Sequence, residues 1–325
     1  MKWRNTRIYQ VSLPLLKPIL VRGEEQFTRD ILRIEQETWD GRKAYAECSP
    51  LPTVHQETLA ECLEAAKEYL ALPAFANTEL PVSLKTALEI LEWQLEMPEL
   101  KLFPDAFENS ALVKVPLEKD QAEVIDSLSA ARVIKVKIGM SDLGSARRFL
   151  EALAGARSDR ELRLDCNQAF ESRGLDEVKQ LIDGLPVSYL EEPFADLAKL
   201  KAIAKLMPIA LDESLGRDAE LDSLAAAWVI KPNCLSWEKT LALFAHSGPQ
   251  QKILSNCFES LSTLQLYAWA YRHFVKHPKP CGLGTAFYMA HEVEAGSWNA
   301  KTYLADWPYE AIADYSERGD LVWES

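Results

Sequence analysis

The sequence predicts an α/β protein: a modified (β/α)8 barrel of the TIM type, in its (β/α)7β form, behind an N-terminal α+β capping domain. Three observations predict it. The chain has 325 residues, 48% of them hydrophobic, enough to fill a barrel core with an attachment. From about residue 110, short β-rich runs alternate with amphipathic helical patterns, the signature of repeated βα units and a parallel sheet. Residues 1–104 follow a different order, strands first and helices afterwards.

In that first part, TRIYQVSLPL, RDILRIEQET and RKAYAECS read as three antiparallel strands. HQETLAECLEAAKEYLAL and SLKTALEILEWQLE follow with helical periodicity. The barrel strands are expected in ALVKVPL (111–117), RVIKVKI (132–138), LRLDCN (162–167), VSYLEE (187–192), IALDE (209–213), AWVIKP (227–232) and KILSNC (252–257), with a short last one in CGLGT (281–285). Between them lie SDLGSARRFLEALAGA, SRGLDEVKQLIDGL, DLAKLKAIAKLM and SWEKTLALFAHSG, which open on Ser or Asp, good helix N-caps. A doubly wound sheet is the competing architecture, but it has fewer units, and no GxGxxG opens a helix. The expected division is a capping domain at 1–104, the barrel at 105–299, and a polar, Trp- and Tyr-studded tail at 300–325 that returns to the capping domain.

The net charge of −13 argues against nucleic acid or an anionic membrane as the partner, and no run of apolar residues is long enough to span a bilayer. The N-terminus lacks the apolar core and cleavage site of a signal peptide, so the cytoplasm is the expected compartment. The oligomeric state stays open, and a monomer is compatible with the composition. Six scattered cysteines, with no CxxC pair and no zinc spacing, read as reduced core residues.

The chemistry lies at the strand ends. Lys135 and Lys137 share one face of the second barrel strand, Asp165 and Asn167 end the third, Glu191 and Glu192 the fourth, Asp212 and Glu213 the fifth, and Lys231 the sixth. One acid at a strand end is ordinarily a cap or a solvated loop residue. Five successive strands delivering ionisable groups to one end is different, because that end of a barrel is where active sites are built. Carboxylates brought so close need a cation among them. Oxygen ligands without His or Cys select a hard ion, Mg2+ first and Mn2+ next. Lysines flanking such an ion suit proton abstraction beside a substrate carboxylate, with the resulting negative charge held by the ion and a lysine. The expected partner is therefore a small anionic carboxylate. A neighbouring cation lowers a lysine's pKa, so Lys135 is expected to help Lys137 act as a base.

The run of VKIG with Lys135 before it, LRLDCN, LEEP, LDES and VIKP resembles the enolase superfamily, in the muconate-lactonizing-enzyme-like branch with KxK on the second barrel strand and a lysine on the sixth. FTRDILRI, AECSPLPTVHQET, SNCFESLSTLQL and CGLGT further resemble the o-succinylbenzoate synthases. The resemblance implies Asp165, Glu191 and Asp212 as Mg2+ ligands, Lys137 as the acid/base, Lys135 as its partner and Lys231 as the lysine on the opposite face. It implies Asn167 beside the metal, and Glu192 and Arg163 near the ligands or the substrate. It places Leu16–Gln26 as a mobile loop over the site, with Lys17 and Arg22 poised for an anionic substrate. Nothing is carried over from ALVKVPL, which departs from the family pattern. The implied activity is a hydro-lyase: syn-dehydration of 2-succinyl-6-hydroxy-2,4-cyclohexadiene-1-carboxylate to o-succinylbenzoate, in menaquinone or phylloquinone biosynthesis. The alternative is an N-acylamino acid racemase or dipeptide epimerase, with Lys137 and Lys231 as bases on opposite faces. CGLGT lacks the acidic DxD that dipeptide epimerases show on the eighth strand, so the N-acylamino acid racemase is the stronger of the two.

Overall fold

The computed structural model describes residues 3–324 except 22, 53, 72–78, 98–106, 139–141, 289–296, 300–303 and 307–318. The N-terminal part is an antiparallel sheet of β1 (Trp3–Val21), β2 (Glu24–Thr38) and β3 (Lys43–Cys48), carrying α1 (Leu59–Ala71) and α2 (Val82–Glu96). Alternation explains the strands: Ala44, Ala46 and Cys48 of β3 join Ile8 in the main core, while Tyr9, Val11 and Leu13 on the other face of β1 form a smaller cluster with Ile31. The segment expected as a loop at 16–26 is instead the tip of the β1–β2 hairpin, with Ile19, Leu20 and Val21 opposite Gln26, Glu25 and Glu24. Pro14 and Pro18 make it look loop-like in the sequence. The register slips between Pro14 and Ile19, so the prolines, which lack an N–H to donate, sit where the ladder is interrupted.

The barrel begins with β4 (Phe107–Glu108) and β5 (Ala111–Lys114), then α3 (Gln121–Ser127), β6 (Val133–Lys137), α4 (Leu143–Ala156), β7 (Glu161–Asp165), α5 (Leu175–Ile182), β8 (Val187–Glu191), α6 (Leu197–Ala204), β9 (Ile209–Leu211), α7 (Ala219–Leu224), β10 (Ala227–Ile230), α8 (Pro232–Leu235), α9 (Trp237–Ala245), β11 (Gln251–Leu254) and α10 (Leu261–Phe274). Strands β5 to β11 form one parallel sheet in sequence order, the curled sheet of a modified TIM barrel. CGLGT closes it with two residues: Cys281 bridges Asn109 and Gly282 bridges Ser255, both parallel. Asp142, Asp196 and Ser236 cap their helices as the sequence leads one to expect of such residues. The cap of α5 is Gly174, whose N–H donates to Glu177.

The tail divides. β12 (Ser297–Asn299) and β13 (Leu304–Asp306) join β4 in a small antiparallel sheet, while β14 (Asp320–Glu324) pairs with β1, tied by Arg7 and Glu324 at 2.6 Å. The boundary expected at 104/105 lies outside the described residues. Among the described residues no helix is long and apolar enough to cross a membrane.

The capping domain is seated on the barrel by buried polar contacts. Arg29, 2% exposed, donates to the carbonyls of Ser49, Pro50 and Phe258. The Glu47 carboxylate accepts from the hydroxyls of Ser260, Ser262 and Thr263 at the start of α10, at 2.6–3.0 Å. Trp93 of α2 packs edge-on against Trp237 and Trp269 of the barrel helices. Glu47→Ala strips three buried hydroxyls of their acceptor at once. It should lower the free energy of unfolding by about 2–4 kcal/mol in urea denaturation. A loss below about 0.5 kcal/mol would show that water replaces the carboxylate there.

Candidate active site

Lys135 and Lys137 lie two residues apart on β6 and point to the same side, into the barrel's C-terminal mouth beside Asp165. Lys135 Nζ bridges Asp165 Oδ2 (2.9 Å) and Glu191 Oε1 (2.7 Å). Lys137 Nζ is 3.2 Å from Asp165 Oδ2 and is the more exposed of the two. Across the mouth, Lys231, the N-cap of α8, meets Asp212 Oδ2 at 2.5 Å. The structure thus brings together all six groups expected there: Asp165, Glu191 and Asp212, with Lys135 and Lys137 on one flank and Lys231 on the other.

Burial sets the electrostatics. Glu191 and Asp165 are 2% and 3% exposed. Burial pushes the Glu191 carboxyl up to about 7, and the nearby charges of Asp165 and Asp212 push the same way against Lys135. Burial would raise Asp165 too, but Lys135, Lys137 and Lys231 outweigh it and hold this carboxyl below its usual range. Burial works against the Lys135 and Lys231 ammoniums, yet Asp165 and Glu191 keep the first protonated and Asp212 the second. Lys135 is therefore a fixed cation, the condition under which it can influence Lys137. Glu213, after Asp212, is also pushed up to about 7, by burial and then by the Asp212 charge.

The neighbouring polar residues orient the carboxylates. Asn167 Nδ2 donates to Asp165 Oδ1 at 2.7 Å, and its backbone N–H reaches the same oxygen at 3.2 Å. This turn requires φ of +43° at Asn167, a left-handed conformation that Asn tolerates better than most residues. Glu192, also at φ +43°, accepts from the Asp212 backbone N–H (2.9 Å) and the Ser214 hydroxyl. It holds the β9 end in place. Arg163 sits deeper: it is buried, pairs with Glu161 at 2.8 Å and donates to the Pro280 carbonyl, toward the strands' N-terminal side. Those contacts give it a place in the barrel filling and show no route to a substrate. Lys17 is exposed on the hairpin tip, and Arg22 lies outside the described residues.

Three further features were not singled out from the sequence. Ser214, within LDES, fixes Glu192. Asn256, after β11, donates to the Gly282 carbonyl and accepts from the Phe258 N–H, tying the seventh strand to the closing segment. His55, Cys234 and Cys257 form a cluster whose ligand-type atoms all lie within 4.8 Å of one another. A positional signal existed for the two cysteines, since each follows a barrel strand end, but their distance in sequence hides the pairing.

The carboxylates suit a divalent cation by the chemistry of the donor set: two buried oxygen ligands and a half-buried one, where burial first and then the neighbouring negative charges push Glu191 toward protonation. Among the described residues their oxygens are not gathered within 4.8 Å of one another, and the lysine ammoniums stand between them.

Residues 119–231, covering most of this machinery, match the family model described as Enolase C-terminal domain-like. That stretch of the barrel is similar to the enolase superfamily. The chain is 27% identical over 344 aligned positions to an o-succinylbenzoate synthase of Pectobacterium atrosepticum, covering 99% of this chain and 100% of that one. Its fold is similar to a dipeptide epimerase from Enterococcus faecalis complexed with Mg and the dipeptide L-Leu-L-Tyr (TM-score 0.74, 18% identity, 95% and 98% of the two chains). It is similar also to an N-succinyl Arg/Lys racemase from Bacillus cereus (TM-score 0.73, 15% identity, 100% and 99%). The proteins it is similar to are named for more than one reaction, and the structural likenesses at these identities establish the fold alone.

The left-handed turn at Asn167 gives a sharp stability test. Asn167→Ala and Asn167→Gly lose the same hydrogen bonds, but only alanine adds a side chain at φ +43°. The glycine variant should be the more stable by about 1 kcal/mol in thermal or urea denaturation. An alanine variant as stable as the glycine one would mean that the turn relaxes.

Proposed function

We propose that the protein is an o-succinylbenzoate synthase, a hydro-lyase that removes a proton next to a carboxylate and then expels water. The observation that carries the reading is the placement of lysines on both flanks of three carboxylates, Lys135 and Lys137 against Asp165, Lys231 against Asp212. The full-length similarity to o-succinylbenzoate synthases favours this reaction over others of the superfamily. Asp165, Glu191 and Asp212 would hold Mg2+, with Mn2+ as a substitute. When bound, the ion supplies positive charge beside the substrate carboxylate and stabilises the charge that develops there in the transition state.

The chain's own residues do the rest. Lys137, the more exposed lysine of the β6 pair, removes the proton next to the carboxylate of the cyclohexadiene substrate. Lys135 stays cationic between Asp165 and Glu191, a fixed positive charge two residues from Lys137. Lys137 then returns the proton to the leaving hydroxyl on the same face, which gives syn elimination. Lys231, on the opposite flank, stabilises the enolate charge. The hairpin tip carrying Lys17 excludes water from the mouth and meets the substrate's anionic end. Aromatisation of the ring drives the reaction forward. The product fits a place in menaquinone biosynthesis, in the cytoplasm.

The two-sided lysines also favour a second reading, an N-acylamino acid racemase, in which Lys137 and Lys231 exchange the proton on opposite faces. The discriminating measurement is a pair of assays: loss of the cyclohexadiene absorbance, and exchange of α-deuterium into both enantiomers of an N-acylamino acid in D2O. The synthase reading expects fast dehydration and feeble exchange. A kcat/KM for racemisation equal to or above that for dehydration would sink it.

Lys137→Ala should reduce dehydration by at least about 10²–10⁴-fold, because one group serves both proton transfers. Activity within tenfold of the parent would remove Lys137 from the role. Metal binding is read separately, without turnover. Mg2+ at a hundred times its Kd should stabilise the protein by about 2.7 kcal/mol, seen as a rise in Tm, and the rise should vanish in Asp212→Asn. An equal rise in that variant would place the ion elsewhere.

A further inference from the structure

Away from the carboxylates, His55, Cys234 and Cys257 meet where the capping domain rests on the barrel. Cys234 lies in α8, just past β10; Cys257 lies just past β11. These are adjacent parallel strands in register, Ile230 beside Leu254. The two sulfurs are already in contact at 3.4 Å, and His55 Nε2 is 3.6 Å from Cys234 Sγ. Ile19 and Val21 of the hairpin tip and Leu51 pack around the pair, so its surroundings come from both parts of the chain. Cys257 is buried and Cys234 is half-buried, so Cys234 is the nearer of the two to solvent.

The histidine decides between two uses of this cluster. Its Nδ1 accepts the Leu51 backbone N–H at 2.9 Å, which leaves the ring proton on Nε2, aimed at Cys234 Sγ and the Asn233 carbonyl. A metal at Nε2 would have to displace that proton while Nδ1 remains an acceptor. The histidine is thus built to donate to a thiolate. The surroundings differentiate the sulfurs. A hydrogen bond from Cys257 holds the Cys234 thiol down to about 5 against the effect of burial, with His55 and the Lys231 charge helping. Cys257 is held above its ordinary value by its contact with Cys234 and by burial, and the Glu259 carboxylate adds to this.

We propose that Cys234 and Cys257 are a reversible dithiol–disulfide site, with Cys234 as the attacking sulfur and Cys257 as the resolving one, oxidised by a small hydroperoxide. The Cys234 thiolate attacks the outer peroxide oxygen, the O–O bond breaks, and Cys234 becomes a sulfenic acid as the alkoxide leaves and takes a proton. Cys257 then attacks the sulfenic sulfur, the S–S bond forms, and the hydroxyl departs with the Cys257 proton as water. Two thiols lose two electrons in all, and one peroxide becomes an alcohol and water. Closing the bond to about 2.05 Å draws the sulfurs together by roughly 1.4 Å. The Cys234 N–H is bonded to the Lys231 carbonyl at 3.0 Å, so the pull is transmitted to the lysine opposite Lys137. This effect on turnover rests on the synthase reading; the bond itself does not.

The test therefore has two arms, both on the full chain. Purified protein is titrated with hydrogen peroxide, its free thiols are alkylated, and its peptides are mapped by mass spectrometry. The expected result is one linked peptide joining Cys234 to Cys257, reversed by dithiothreitol. In Cys257→Ser, a sulfenic acid should be trapped by dimedone at Cys234, and Cys234→Ser should protect Cys257. Oxidation spread evenly over the six cysteines, or no linked peptide, would overturn the site. So would thiols that resist alkylation until a chelator removes stoichiometric zinc. In the second arm, dehydration should fall with the disulfide fraction, by on the order of 10–100-fold at completion, and recover on reduction, while Cys257→Ser resists the reversible loss. A complete disulfide with unchanged dehydration would overturn the link to Lys231 and leave the bond standing.

Discussion

Everything at the mouth of this barrel depends on balancing buried charge. Asp165, Glu191 and Asp212 are brought together where water is scarce, and three carboxylates cannot all stay ionised there unaided. Lys135 between two of them and Lys231 on the third supply the balance. Because parallel strands deliver residues at fixed heights, the cations and anions meet without long flexible reach. The same requirement explains the surrounding hydrogen bonds. Asn167 fixes one oxygen of Asp165, and Glu192 grips the backbone of Asp212.

The capping domain obeys a similar rule on its own scale. Its seat on the barrel is built from hydrogen-bonded polar groups. Arg29 spends its guanidinium on three carbonyls, Glu47 gathers three hydroxyls, and Asn233 donates to the Ser49 carbonyl at 2.8 Å. A seam of this kind fixes orientation better than an apolar contact, since the bonds that cross it, from Arg29 to Phe258, from the hydroxyls of α10 to Glu47 and from Asn233 to Ser49, are lost if the two parts slide. The SPLP segment at 49–52 lies in it, which gives that stretch, unremarkable for secondary structure, a reason for its composition.

Much of this was legible in the sequence, and the reasons are physical. Strands buried on both faces show as continuous apolar runs, so the charged residues ending RVIKVKI, LRLDCN and VSYLEE stood out against them. Capping by Asp196 and Ser236 was visible for the same local reason. What was hidden depends on long-range pairing. The hairpin at 16–26 was masked by its prolines, whose interruption of the ladder only the partner strand reveals. Arg163 was singled out through the resemblance of LRLD, and only the structure shows its bonds to Glu161 and the Pro280 carbonyl. Cys234 and Cys257 meet because two strands are neighbours, and no local pattern in the chain encodes that meeting.

The closing of the ring by Cys281 and Gly282 has a mechanical consequence. Every other junction in the barrel is a ladder of parallel pairs; this one is a pair of single bridges, backed by the Asn109 side chain accepting the Leu283 N–H. In a ring of eight, the closing position lies diametrically opposite the fourth strand, and the fourth strand carries Glu191. The barrel's compliant hinge line is thus as far as the circumference allows from its central carboxylate. Breathing motions that open the seam spread over three strands on either side before they reach the acids, like the displacement of a split washer, which is greatest at the cut and least across from it.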